Sequence, residues 1–271
     1  PKHKQKWTST LKNHAYPVIG ALLISEIETH HLVTLLTAIW TSKTETAMKL
    51  RQRIETIIDS ATVEGLYTSA NPARWRGHLS HLLPNPHKIK RVTHYPAMPH
   101  QDVPAFITDL RKREALSAHL LEFSILTACR QSEARLATHN EIDRDNLIWT
   151  IPASRMKTNR EHRVPLTDRM LEIINDCKTD SQYVFADRGN PLSINALRML
   201  MNRMGAADYT PHGFRSSFRD WCSSAQPYGN FEIWESALSH KVGTSVTAAY
   251  SRSDHLDERR HLMHSWETYI G

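Results

Sequence analysis

From residue 29 to residue 65, apolar side chains recur every three or four positions, the period of helices that each bury one face. Leu32, Leu35, Leu36 and Ile39 form the first such stripe. Ser25 and Glu28 stand before it at capping-box spacing, with Thr29 as a competing cap. A second stripe follows a cap at Thr44: Ala47, Leu50, Ile54, Ile57, Ile58 and Ala61, closed by Gly65. Asn71-Pro72 then reads as an N-cap with proline at the first helical position, opening a short helix through Leu83. The pattern breaks at PNPHKIKRVTHYPAMP, where four prolines fall in a stretch without apolar period. Beyond it, helical patterns cover 104–113, 116–128, 170–177, 194–204, 213–222, 233–238 and 256–269. Residues 146–152 and 163–166 alternate like strands around the polar, basic RMKTNREHR. The expectation is a mainly α chain with a small β-sheet (α+β): a helical domain over 1–84, a linker over 85–99 and a larger domain over 100–271. Fully extended, the 16 residues of the proline-rich stretch (84–99) span roughly 50 Å.

The chain of 271 residues is 40% hydrophobic, enough for two cores and against disorder. No apolar run is long enough to span a membrane. The N-terminus, PKHKQKWTST, is basic but has no apolar core of a signal peptide. It lacks an initiator Met, and we expect a fragment whose N-terminal part has been removed. Cys129, Cys177 and Cys222 are odd in number and widely spaced, which suits neither a disulfide framework nor a zinc site and fits a reducing, cytoplasmic setting. The net charge of +6 favours a polyanionic partner bound in a salt-dependent way. Candidate contacts are Lys43, Lys49, Arg51 and Arg53 on the second helix, Lys88, Lys90 and Arg91 in the linker, and Arg155 and Arg160 in the basic loop. The plainer reading of each is a solvated surface.

Chemistry is concentrated in residues far apart in sequence. Arg130 and Glu133 are spaced to share a helix face, where a planar guanidinium buttressed by a carboxylate can grip a phosphate oxygen. Lys157 lies among other cations, which favours loss of its proton to a leaving oxygen. His212 and Arg215 sit at a helix start, itself a favourable phosphate site. His240 precedes Tyr250 by ten residues. A tyrosine hydroxyl is a weak nucleophile near neutrality, and a base beside it in a cationic pocket supplies the activation. Several fixed cations also stabilise the charge that builds on a phosphoryl group under attack. No HExxH or similarly close ligand pattern is present, so neither metal nor cofactor is expected. Each pair alone has an ordinary reading, as a surface ion pair, a capping histidine or a half-buried tyrosine.

Taken together, TACRQSEARLATHNEID, RMKTNREHRVPLTD, HGFRSSFRDW and LSHKVGTSVTAAYSR resemble, in order and interval over residues 100 to 260, the tyrosine recombinases of the phage-integrase family. The ending AAYSRSDHLDERRHLMHSWETYI looks most like integrases of P4-like prophages and genomic islands. KTETAMKLRQRIETIIDSATVEGLYTSANPA resembles that group's core-binding domain. The resemblance implies a C-shaped clamp on double-stranded DNA and a homotetramer that exchanges strands through a four-way junction, without ATP, to integrate or excise a mobile element. It implies Tyr250 as nucleophile, Arg130, Arg215 and His240 at the scissile phosphate, His212 as acid-base residue, Lys157 as general acid and Glu133 as support. An excisionase and a DNA-bending host factor are expected further partners. The family's usual arm-binding N-terminal domain is expected to be the part removed from this fragment, and THNEID replaces a tryptophan common before the acidic residues of that segment. A topoisomerase of type IB chemistry and a catalytically silent DNA-binding protein of the same fold remain alternatives. The tail from Leu256 is amphipathic and either completes the core in cis or docks on a neighbouring protomer.

Overall fold

The computed structural model describes residues 2–89, 96–177, 180–225, 229–240 and 254–271. Tyr250, Lys90 and Arg91 lie outside the described residues. The chain divides into two units, residues 1–94 and 95–271.

The first unit is helical. Helices α1 (Lys2–Thr10) and α2 (Tyr16–Ile19) are joined by a wide π-type turn, followed by α3 (Thr29–Trp40), α4 (Thr44–Val63) and α5 (Pro86–Ile89). The stripes of α3 and α4 face each other: Leu32, Leu36, Ala47, Leu50 and Ile58 are fully buried, while Ile57 is exposed. Trp40 closes this core, stacking on Trp75 and donating its indole N–H to the Pro84 carbonyl at 2.8 Å. Both proposed caps of α3 give way to Glu28, whose backbone N–H donates to His31 Nδ1 at 3.1 Å. Asn71 does cap locally, accepting from the Ala73 N–H at 2.9 Å, but turns and one 3-10 segment follow instead of a short α-helix.

Two of the four cations expected on an outer face of α4 are structural. Arg53 is buried against the Trp7 ring at 5.2 Å and donates to the Lys6 carbonyl. Arg51 binds Glu55 at 2.6 Å and the Ala73 carbonyl at 2.7 Å. Their long stems cover apolar surface while their heads find fixed acceptors. Lys43 and Lys49 are exposed. Three residues of the expected linker are held by one unit or the other. Pro86 is buried within the first unit, and Pro96 and Met98 bind into the second through their carbonyls.

The second unit is built around α7 (Leu116–Leu126), buried on every side from Leu120 to Leu126. Phe123 on this helix packs against Trp149 and Phe185 at 5.3 Å each. Glu122 is buried with it, and two arginines satisfy it: Arg111 at 2.7 Å and Arg169 through both carboxylate oxygens at 2.9 Å. Around α7 lie α6 (Val103–Leu110), α8 (Gln131–Arg135), α9 (Asp168–Asp176), α10 (Ala196–Arg203), α11 (Gly213–Ala225), α12 (Phe231–Ala237) and α13 (Leu256–Ile270). A three-stranded antiparallel sheet, β1 (Ile142–Asp143), β2 (Ile148–Ile151) and β3 (His162–Pro165), pairs Ile151 with His162, so residues 152–161 form the hairpin loop. A second hairpin, β4 (Ala186–Asp187) and β5 (Asn190–Pro191), turns at Arg188-Gly189 with both φ positive, the geometry that suits a two-residue hairpin.

Helix α13 completes this core in cis. Leu262, Met263, Trp266 and Ile270 are buried, and the Trp266 indole N–H donates to the Ile125 carbonyl at 3.0 Å. Arg259, also buried, ties it to β3 through the Arg163 carbonyl at 2.6 Å and to Asp254.

Candidate active site

Three helix ends converge on one corner of the second unit. The first is the exit of α7. Ala128 takes a left-handed φ of 49°, turning the chain so that Arg130 stands just before α8 in extended backbone. Arg130 and Glu133 therefore do not share a helix face as their spacing suggests. Glu133 instead caps the helix start: its carboxylate accepts from the Arg130 backbone N–H and from Arg130 Nη1, both at 2.8 Å. Glu133 is 2% exposed, so this one buried carboxylate fixes both the backbone and the guanidinium of Arg130.

The second is the start of α11. Gly213 opens it where any Cβ would strike the Pro96 carbonyl, which is why glycine stands between His212 and Arg215. Arg215, one residue into the buried face, donates to the Ala128 carbonyl at 2.5 Å and the Leu238 carbonyl at 2.6 Å. Among the described residues no carboxylate lies within ion-pair distance of it. Burial and the nearby Arg130 push its guanidinium down to about 10. A buried cation held by neutral carbonyls is costly unless an anion arrives.

The third is the end of α12, closed by a Schellman motif. Ser239 N–H donates to Ser236 O and His240 N–H to Glu235 O, both at 2.9 Å. The motif needs a left-handed residue, and Ser239 supplies it at φ 51° where glycine is usual. That turn presents the Leu238 carbonyl to Arg215 and the Ser239 carbonyl to Arg130 at 3.4 Å. It also sets His240 Nε2 3.1 Å from Arg215 Nη2 and Nδ1 2.7 Å from Glu235 Oε2. His212 shares this neighbourhood: partial burial, then Arg215, Arg130 and His240, lower its affinity for a proton, with Glu133 opposing.

Arg130, Glu133, His212, Arg215 and His240 are thus brought together, although 110 residues separate the first from the last. Lys157 is exposed in the β2–β3 loop and makes no hydrogen bond or ion pair among the described residues. The loop base is nonetheless tied to this corner. Arg155 donates to the Glu133 carbonyl at 3.2 Å and to Glu141 at 2.5 Å, and Met156 is buried. Two residues further on, the Lys157 backbone lies within about 7 Å of Arg155. Arg155 is therefore ion-paired within the second unit, whereas Arg160 and, in the first unit, Lys88 are exposed.

Sequence reading missed two members of the neighbourhood. Glu235, five residues before His240 across a helix end, carries no motif; only its backbone and side-chain bonds to His240 reveal it. His162 was legible, since His162, Val164 and Leu166 alternate onto one face, and beginning the strand at Arg163 hid it. His162 is buried, and desolvation, followed by Arg259, Arg215 and Arg130, pushes its imidazole down to about 3.

Two family models match the chain: the phage integrase central domain over residues 1–78 and the phage integrase family over residues 96–255. The chain belongs to the phage integrase family. It is 31% identical to the integrase of Enterobacteria phage P4, aligned over 99% of this chain and 65% of that protein. It is 30% identical to the prophage integrase IntA of Escherichia coli, over 97% and 64%. The chain therefore spans just under two thirds of the length of these relatives. Its fold matches that of a lambda integrase tetramer bound to a Holliday junction, with a TM-score of 0.69 at 18% identity, covering 93% of this chain and 72% of that one. It likewise matches the Tn1549 transposon integrase in complex with transposon right end DNA, with a TM-score of 0.68 at 14% identity over 98% and 93%.

Proposed function

We propose that this chain is the core-binding and catalytic part of a site-specific recombinase that cleaves and rejoins duplex DNA through a 3′-phosphotyrosyl intermediate, integrating or excising a prophage or genomic island. The observation that carries this reading is Arg215, a buried guanidinium held, among the described residues, by carbonyls and a histidine, with Arg130 beside it. Such a pair is a preorganised receptor for one small, doubly contacted anion, and a phosphodiester flanked by its own polyanion fits it. Family membership and DNA-bound structural neighbours support the same partner.

In this mechanism the Tyr250 oxygen attacks phosphorus, the bond from phosphorus to the 5′ oxygen breaks, and Lys157 protonates the departing oxygen. His212, whose proton affinity is lowered by burial and by Arg215 beside it, takes the tyrosine proton. Arg130, Arg215 and His240 bind the non-bridging oxygens, and Glu133 holds Arg130. In the reverse step a 5′ hydroxyl from the partner duplex attacks phosphorus as neutral Lys157 takes its proton, the bond from phosphorus to the Tyr250 oxygen breaks, and His212 returns its proton to that oxygen. The phosphotyrosyl bond retains the energy of the original diester, so no nucleotide is consumed. The productive assembly is a homotetramer on a four-way junction, with an excisionase and a DNA-bending host factor setting direction, in the bacterial cytoplasm.

The test is covalent trapping in EDTA on nicked duplexes drawn from DNA flanking the gene. We expect an SDS-stable adduct that disappears in Tyr250→Phe while mobility shifts on native gels persist. An adduct that survives Tyr250→Phe overturns the assignment. Binding without any adduct would favour a silent DNA-binding protein.

A further inference from the structure

His240 is not held in place by packing: its side chain is 44% exposed. Its orientation comes from Glu235, which grips it twice, through the backbone carbonyl to the His240 N–H and through Oε2 to Nδ1. Glu235 is itself fixed. Arg219 Nε donates to its other carboxylate oxygen at 2.5 Å. Arg219 in turn lies over the Phe231 ring at 4.9 Å and the Trp234 ring at 5.4 Å and donates to Ser223. At the far side of the imidazole, Nε2 meets Arg215, which has only donors to offer. Nε2 must therefore accept, and Nδ1 must carry the proton and donate it to Glu235. Which nitrogen of a histidine bears the proton is set by the partner of the other.

We propose that Glu235, anchored by Arg219, is a positioning residue that fixes the ring orientation and the Nδ1–H tautomer of His240, so that Nε2 is presented to Arg215 at the phosphate receptor. A carboxylate is required because two donors, Arg219 Nε and His240 Nδ1, must both be accepted. A glutamine has one carbonyl oxygen. With that oxygen kept by Arg219, its amide N–H faces Nδ1 and forces the proton to Nε2, against the Arg215 guanidinium. Among the described residues, the other charged or titratable groups near His240 are His212 at the start of α11 and Arg130 through the Ser239 carbonyl.

The kinetic part of this inference rests on the recombinase reading; the spectroscopic part does not. The near-isosteric variant Glu235→Gln is compared with the parent chain, both labelled with 15N-histidine, by long-range 1H–15N correlation spectra near pH 8. The His240 signals are identified by their loss in His240→Asn. We expect the Nδ1–H pattern in the parent and the Nε2–H pattern in Glu235→Gln. We also expect adduct formation on the nicked duplexes to slow by about 10–100-fold, the range seen when an outer partner orienting a functional histidine is lost, with duplex binding unchanged. An Nε2–H tautomer in the parent, an unchanged tautomer in the variant, or a changed tautomer with an unchanged rate would each overturn the proposal. If the parent forms no adduct at all, the recombinase reading fails, while the spectra still decide whether Glu235 sets His240.

Discussion

His162 lies on the buried face of β3 with Arg259, Arg215 and Arg130 as its charged neighbours, so burial and then these cations disfavour its protonated form. An unfolded histidine titrates near 6.5, and here the folded value is pushed down to about 3. The linkage sign follows from proton counts. Above 6.5 neither state binds the proton and stability is full. Between 6.5 and 3 only the unfolded state binds it, so stability falls as pH falls, by about 1.4 kcal/mol per unit for this one group. We expect urea unfolding of the second unit at pH 5 and pH 7 to show a smaller pH dependence in His162→Leu by about that slope. Equal slopes would mean that His162 takes up a proton while folded. The same corner shows what single residues reveal in sequence. Arg130, His212, Arg215 and His240 were legible because their types and order suit one chemistry. Glu235 was not, because a carboxylate five positions from a histidine gains meaning only once a Schellman turn folds one back on the other.

At the scale of elements, helix periodicity located α3, α4, α7 and α11 within a few residues, since each keeps one apolar stripe or is apolar throughout. It failed where side chains took over backbone roles. Glu28 displaced both expected caps, and a turn sequence replaced the helix expected after Pro72. On α4, sequence spacing could not separate cations that solvate from cations that brace, because arginine does both. The two kinds should respond differently. Lys43→Ala with Lys49→Ala is expected to weaken duplex binding and reduce the slope of log affinity against log salt by about two, one per phosphate contact, at unchanged stability. Arg53→Ala, which loses the Trp7 contact and the Lys6 carbonyl, is expected to destabilise the first unit by about 1–2 kcal/mol. Binding titrations at several salt concentrations, with denaturation of the same proteins, distinguish them. An unaltered salt slope in the double lysine variant would remove α4 from the interface.

The described residues of the molecule form two hydrophobic cores, one centred on Leu32, Leu36 and Ile58, the other on α7 and Trp266. Because α13 supplies Leu262, Met263 and Trp266 to the second core, truncation after Asp254 removes part of the fold, not a detachable arm. Trp266→Ala is expected to cost about 3–5 kcal/mol in the second unit and leave the transition of the first in place. Calorimetry that showed both transitions moving together would mean the two cores melt as one.

The buried guanidinium of Arg215 is held by the carbonyls of Ala128 and Leu238. Every amino acid carries that same acceptor, so the side chains at these two positions are not what grips Arg215. Substitution there leaves the acceptors in place as long as the backbone keeps its path. The proposed phosphate receptor is thereby insensitive to the side chains at these two positions and depends on the turns that aim the main chain.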